Sequence, residues 1–172
     1  SEQNPDFLES AKAERNKYSD LFIWNSCVWD YEQPYRLISG RYDRNGCYMV
    51  NFFSTQPAFN FGFNEITHPK WQMSYKDERT KLAREYIKKV IRFWLNLGAD
   101  GFRVDMADSL VKNDDSKVAT MEIIVMNNNE NTVSNFAILG RTPFAGVEDI
   151  ISGDELGTTT TAKLLSILLV EV

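Results

Sequence analysis

Gly98-Ala99-Asp100-Gly101-Phe102-Arg103-Val104-Asp105-Met106-Ala107 is the stretch that decides the fold. It follows a long amphipathic pattern and passes from a glycine into a short apolar run ending on a carboxylate. The pattern predicts a strand over residues 101–105. Residues alternate faces along a strand, so Arg103 and Asp105 are expected on one face. A guanidinium beside a carboxylate at a strand's C-terminal mouth keeps that carboxylate ionised, the state a nucleophile needs. Two blander readings stay open: Asp105 as the cap of the following loop or helix, and Arg103 as an ion-pair partner of Asp100 or Asp108.

Immediately upstream, Ala83, Tyr86, Ile87, Val90, Ile91, Trp94 and Leu95 recur at helical spacing across residues 76–97. Glu78, Lys81, Arg84, Glu85, Lys88, Lys89 and Arg92 fill the other face, and Gly98 stands where a left-handed C-terminal cap belongs. Helix, short connection and strand make the αβ half of a repeating α/β unit, which suits a parallel sheet.

Working outward toward the N-terminus, Gln56-Pro57-Ala58-Phe59-Asn60 reads as a loop, since Pro57 breaks a ladder and restrains Gln56. Residues 36–42 and 47–53 are β-like runs around Asp43-Arg44-Asn45-Gly46, and Asn-Gly there predicts a hairpin. Residues 18–29 are aromatic and irregular, a packed loop, and residues 7–16 read as a short helix. In the other direction Lys112-Asn113-Asp114-Asp115-Ser116-Lys117 is a polar break. Beyond it, strands are expected at 121–126, 135–139, 147–151 and 164–172, with Asn127-Asn128-Asn129 and Ser152-Gly153-Asp154 as turns. Those short strands suggest a small antiparallel sandwich or sheet, with a domain boundary near Val118.

At 172 residues the chain makes one ordinary domain or two small ones. Its 43% hydrophobic and 25% charged content excludes disorder throughout. A net charge of −5 excludes a nucleic-acid surface, which needs clustered Lys and Arg. No apolar run reaches the length of a membrane span. Beginning at Ser1-Glu2-Gln3-Asn4 fits a removed leader or a longer N-terminal part. Cys27 and Cys47 could pair across an antiparallel ribbon, but two buried thiols are the expectation. Trp29 and Tyr31 either stack on a sugar or pack in the core, and packing is the expectation.

Three stretches carry a resemblance. Gly101-Phe102-Arg103-Val104-Asp105 resembles the fourth-strand signature of the α-amylase family of glycoside hydrolases. Gln56-Pro57-Ala58-Phe59-Asn60 resembles the motif shortly before that strand, commonly Gln-Pro-Asp-Leu-Asn in oligosaccharide-active members of the α-glucosidase and neopullulanase type. Asn4-Pro5-Asp6-Phe7-Leu8-Glu9 through Tyr18-Ser19-Asp20-Leu21-Phe22-Ile23-Trp24 is similar to the start of the loop domain that follows the third strand. Together, in the right order, they cover roughly residues 1–112.

The resemblance implies a partial (β/α)8 TIM barrel with its loop subdomain over residues 1–118, and a small all-β C-terminal domain over 119–172. Glu122-Ile123-Ile124-Val125-Met126-Asn127-Asn128-Asn129 is similar, more loosely, to the family's closing β-sandwich. It implies a retaining α-glycosidase acting on α-glucans or malto-oligosaccharides, with Asp105 as nucleophile and Arg103 as its partner. Such chemistry needs a second carboxylate about 5–5.5 Å from the first. That acid/base Glu, its assisting Asp and the family's two substrate-binding His positions have no counterpart here, and His68 lies outside the motifs. The 172-residue chain is therefore expected to be inactive alone, or to be a binding or structural fragment. Asp108, Lys112, Asn60 and Trp29 are the candidate sugar contacts, with loop-holding the favoured role for Asn60. No cofactor is expected. Calcium is left open for a complete parent protein, since Asp43-Arg44-Asn45-Gly46 lacks the alternating oxygen ligands of a calcium loop. Oligomer formation, compartment, linkage preference and hydrolysis against transglycosylation stay open.

Overall fold

The computed structural model of the chain describes residues 1–29, 35–99, 102–105, 109–129 and 138–141. Its first element is α1, Pro5–Ser10. The Asn4 Oδ1 accepts from the backbone N–H of Asp6 (2.8 Å) and Phe7 (3.3 Å), and Pro5 occupies the first turn, where its missing N–H costs nothing. The helix is shorter than the 7–16 expectation because its last carbonyls are claimed from outside. Asn16 Nδ2 donates to Glu9 O (2.6 Å), Arg44 Nη1 to Ser10 O (2.9 Å) and the Arg44 N–H to Ala11 O (3.0 Å).

Three short antiparallel strands follow: β1 (Trp24–Asn25), β2 (Leu37–Ser39) and β3 (Cys47–Met49), ordered β1-β3-β2. The hairpin reading holds, with Leu37 opposite Met49 and Ser39 opposite Cys47. Gly40 (φ 65°) and Asn45 (φ 49°) supply the left-handed conformations its connection needs. Residues 56–60 form no strand, in keeping with the loop reading, but isolated bridges and backbone bonds hold them against this sheet. The Ile23 N–H donates to Ala58 O (2.9 Å), the Ala58 N–H to Met49 O (2.8 Å) and the Asn60 N–H to Leu21 O (2.9 Å). Pro57, with no N–H to offer, meets Val50 only in an isolated bridge.

Alternation along these strands separates two buried clusters. Phe22, Trp24, Tyr48 and Phe59 face one with Phe7 of α1, whereas Ile23, Met49 and Ala58 face another with Phe63 and Trp71. Phe7 is wholly buried, stacked on Trp24 at 5.7 Å and edge-on to Phe22 and Tyr48 at 5.1 Å each. Arg44 closes this nest, its guanidinium 4.7 Å from the Trp24 ring. Burial pushes that guanidinium down to about 10, offset in part by Asp20.

The long amphipathic pattern forms a 3-10 turn, Glu78–Thr80, running into α2, Lys81–Asn96. Ala83, Ile87 and Ile91 are buried as the periodicity requires. Lys88, assigned to the polar face, is buried as well, with its Nζ reaching Glu85 Oε1 at 3.0 Å. Gly98, at φ 95°, ends the helix: its N–H donates to Leu95 O (2.9 Å) and the Ala99 N–H to Trp94 O (3.1 Å). That pair of bonds is the Schellman arrangement, which satisfies two terminal carbonyls.

Then comes β4, Phe102–Asp105, followed by α3, Val118–Asn129, and β5, Ile138–Arg141. The strand expected at 121–126 is overturned, because those residues lie within α3. Consecutive β-branched residues there mimic a strand, but Ala119 and Ile123, one helical turn apart, are buried against the α1–α2 core. Of the strand expected at 135–139, Ile138 and Leu139 lie in β5, which pairs with β4 in parallel rather than antiparallel, Phe102 opposite Ile138 and Asp105 opposite Arg141, while 135–137 lie outside the described residues. A parallel neighbour reached through a helix is a crossover unit rather than a member of an antiparallel sandwich. The boundary near Val118 falls at the first residue of α3. The strands expected at 147–151 and 164–172 lie outside the described residues.

Candidate active site

Asp105 is the last residue of β4, and Arg103 precedes it by two positions on the same strand. Asp100, Asp108 and Tyr31 lie outside the described residues.

The chain after β4 is fastened to the segment that follows residues 56–60. Phe63 and Lys112 form a parallel bridge, in which the Lys112 N–H donates to Gly62 O (3.0 Å) and Lys112 O accepts from Asn64 N–H (2.9 Å). Lys112 Nζ donates to Asn51 Oδ1 (2.9 Å) and to Ser109 O (2.7 Å), so its ammonium ties the loop together. Gly62 also admits a close approach from the other side, by residues 74–75. At φ 89° it lies so near Tyr75 that a Cβ would sit 2.5 Å from the Tyr75 Cα.

Asn60 is buried, and its Nδ2 donates to Asp20 O (3.2 Å) and contacts Met73 Sδ (3.3 Å). These bonds fit the loop-holding role. Its Oδ1 and the Oδ1 of Asp20 are buried with no hydrogen-bond partner among the described residues. The second carboxylate oxygen of Asp20 pairs with Arg15. Asn60 and Lys112 are thus joined through the Phe61–Gly62–Phe63 backbone. Trp29 is 78% exposed, which overturns its assignment to the core. His68 stacks on Trp71 of the second cluster, with ring centroids 6.0 Å apart. Cys27 is exposed and Cys47 buried, so only one of the two expected buried thiols is found.

The residues missed from the sequence are those of the polar break. Asn113, at φ 51°, donates from Nδ2 to Glu65 O (3.0 Å) and accepts at Oδ1 from the Tyr35 hydroxyl (2.8 Å). Gln72 Nε2 donates to that hydroxyl (2.9 Å), while Gln72 Oε1 accepts from the Thr67 and His68 N–H groups (2.8 and 2.9 Å). Asp114, also buried, accepts from the Thr120 N–H (2.8 Å) and from Asn64 Nδ2 (3.2 Å). Adjacent Asn and Asp are the residues that tolerate left-handed backbone and bond it locally, so the signal was present but read only as a break. No group of three or more His, Cys, Asp or Glu able to hold a metal ion occurs among the described residues, and no helix among them is long and apolar enough to cross a membrane.

The family model for the alpha amylase catalytic domain matches residues 1–139. Alpha-amylase 3 of Dictyoglomus thermophilum is 32% identical over 124 residues, covering 68% of this chain and 19% of that protein. Oligo-1,6-glucosidase of Parageobacillus thermoglucosidasius is 27% identical over 128 residues, covering 65% of this chain and 18% of that protein. An amino acid transporter heavy chain of Rattus norvegicus is 29% identical over 123 residues, covering 65% of this chain and 15% of that protein. The chain therefore spans under a fifth of the length of these relatives.

Proposed function

The chain belongs to the α-amylase catalytic-domain family and carries part of that family's TIM barrel, and from this premise we propose that the protein is a retaining α-glycosidase of α-glucans. In this reading Asp105 attacks the anomeric carbon and forms the covalent glycosyl intermediate, while Arg103 keeps the carboxylate ionised and aimed. The observation that carries the reading is the position of Asp105 as the terminal residue of β4, two residues after Arg103, with β5 running parallel beside it. Catalytic groups of TIM barrels come from the C-terminal ends of their strands. Malto-oligosaccharides are the substrates that fit relatives named alpha-amylase and oligo-1,6-glucosidase. Trp29 offers an exposed ring on which a pyranose face stacks, and Asp108 and Lys112, which follow Asp105 in the sequence, are the further sugar contacts proposed. The acid/base carboxylate is not assigned in this chain, which by itself is proposed to turn over no glucan.

The test uses the gene product that carries this sequence and a slow-reacting fluorinated α-glucosyl donor. The donor should label the peptide containing Asp105, and Asp105→Ala should lower kcat by several orders of magnitude while glucan binding persists. Near-normal turnover by that variant sinks the assignment.

A second reading is a non-catalytic member of the family that binds glucan or serves as a structural part. It is favoured by a relative named as an amino acid transporter heavy chain, a name without glycoside chemistry in it. Glucan binding with neither labelling nor turnover, unchanged by Asp105→Asn, would select it.

A further inference from the structure

We infer that Cys27 and Cys47 form a thiol–disulfide site: glutathione disulfide converts the pair to an intramolecular cystine that locks the end of β1 onto β3. The inference does not depend on the glycosidase reading.

Two independent contacts bring the pair together. Register sets Asn25 of β1 opposite Cys47 of β3, so a straight continuation would leave Cys27 diagonal to Cys47, about 7–8 Å away. The chain does not continue straight. The Cys27 N–H donates to Asn25 Oδ1 (3.0 Å), an Asx turn that curls residues 25–27 back over the neighbouring strand. Cys47 Sγ then lies 3.1 Å from the Cys27 carbonyl oxygen. With ordinary Cα–C and C=O bonds, the Cys47 sulfur is within roughly 5.5 Å of the Cys27 Cα. That leaves only the Cα–Cβ and Cβ–Sγ bonds of Cys27 to close the gap by side-chain rotation. The second contact is at Gly46, where a Cβ would stand 2.5 Å from Asn25 O and 3.5 Å from the Ser26 Cα. Residues 25–26 thus lie against the backbone that immediately precedes Cys47.

The accessibilities fix the order of events. Cys27 is exposed and Cys47 is 1% exposed, so the oxidant meets Cys27 first. The Cys27 thiolate attacks one sulfur of glutathione disulfide, forming a mixed disulfide and releasing one glutathione thiolate. Cys47, deprotonated, attacks the Cys27 sulfur of that mixed disulfide and releases the second glutathione. Two protein S–H bonds are replaced by one S–S bond, the two protons pass to the glutathione thiolates, and glutathione disulfide is reduced to two thiols. The closed loop contains β2 and the exposed Trp29, so oxidation fixes the base of the segment that presents this ring.

The test is exposure of the reduced protein to glutathione disulfide, followed by thiol titration, intact mass and a tryptic map under non-reducing conditions. The expected result is loss of both thiols, a mass lower by two hydrogens with no glutathione added, and tryptic peptide 18–36 joined to peptide 45–70. In Cys47→Ser, Cys27 should instead retain glutathione. In Cys27→Ser the remaining thiol should react at least about 10-fold more slowly than Cys27 does. A stable glutathione adduct on Cys27 of the unaltered protein, a disulfide between two copies, or no reaction would overturn the inference. So would equal rates in the two variants.

Discussion

Asp77 sets the start of the 3-10 turn and α2 with a single carboxylate. Its Oδ1 accepts from the Arg79 backbone N–H (2.9 Å) and Nε (3.0 Å), and its Oδ2 from Arg79 Nη2 (2.7 Å). The Arg79 side chain first, and its backbone N–H second, hold the Asp77 carboxyl at about 2 against an ordinary 3.8. Between those values the unfolded chain binds more protons than the folded one. The stabilisation is therefore complete above about pH 3.8 and is lost as pH falls through about 2. Because the ion pair is partly exposed, with Arg79 half in water, screening keeps the acid-sensitive part under about 1 kcal/mol. Asp77→Ala is expected to cost about 1 kcal/mol at neutral pH through loss of the cap. Asp77→Asn, which keeps a cap oxygen, should cost less and should flatten the fall in stability under acid. Urea titrations at neutral pH and across the acid range measure both effects. An identical acid dependence in wild type and Asp77→Asn would show that the ion pair contributes nothing.

At the scale of elements, two glycines separate local strain from tertiary contact. Gly98 ends α2 at φ 95° with nothing within 4 Å of an added Cβ, so Gly98→Ala meets only backbone strain, about 1–2 kcal/mol. Gly62, at φ 89°, faces the same strain and in addition has the Tyr75 N and Cα at 2.6 and 2.5 Å from a Cβ. Backbone cannot give way as a side chain can, so Gly62→Ala is expected to cost about 3 kcal/mol or more, with the greater loss at the Gly62–Tyr75 crossing. Thermal or urea unfolding of the two variants checks the ranking, and equal losses would mean that Tyr75 does not press on Gly62. The pair also marks what could be read from sequence. Gly98 announces itself because a helix pattern stops there, and its cap was legible. Gly62 sits in Phe61-Gly62-Phe63, where nothing local reveals that a segment twelve to thirteen residues away runs against it. α3 failed in the opposite sense: Ile123-Ile124-Val125 shows no helical period, and its helix is settled by burial of Ala119 and Ile123 and by the Asp114 bond to the Thr120 N–H.

Across the whole molecule, the nucleophile candidate was legible and its support was not. Asp105 shows in five consecutive residues of one strand, because alternation and residue type are local properties. What fixes the chain beyond that strand is assembled from four separated stretches around Tyr35, Asn64, Gln72 and Asn113-Asp114, and no spacing along one segment encodes it. Asp114 is the joint between them. One of its oxygens holds the first turn of α3 through the Thr120 N–H, and the other holds Asn64, whose own N–H bonds Lys112 O. Removing that carboxylate leaves the buried Thr120 N–H unsatisfied and releases the exposed Asn64 amide to water, so Asp114→Ala is expected to cost about 1–3 kcal/mol, and Asp114→Asn less. The energy alone would not distinguish a joint from an ordinary buried group. Hydrogen exchange does: in Asp114→Ala the Thr120 amide on α3 and the Asn64 and Glu65 amides on the loop should lose protection together, while the Ile23 and Ala58 amides of the sheet keep theirs. Loss on the α3 side alone would mean that Asp114 is merely a helix cap, and that the loop carrying Lys112 is held by Gly62 and Asn113 without it.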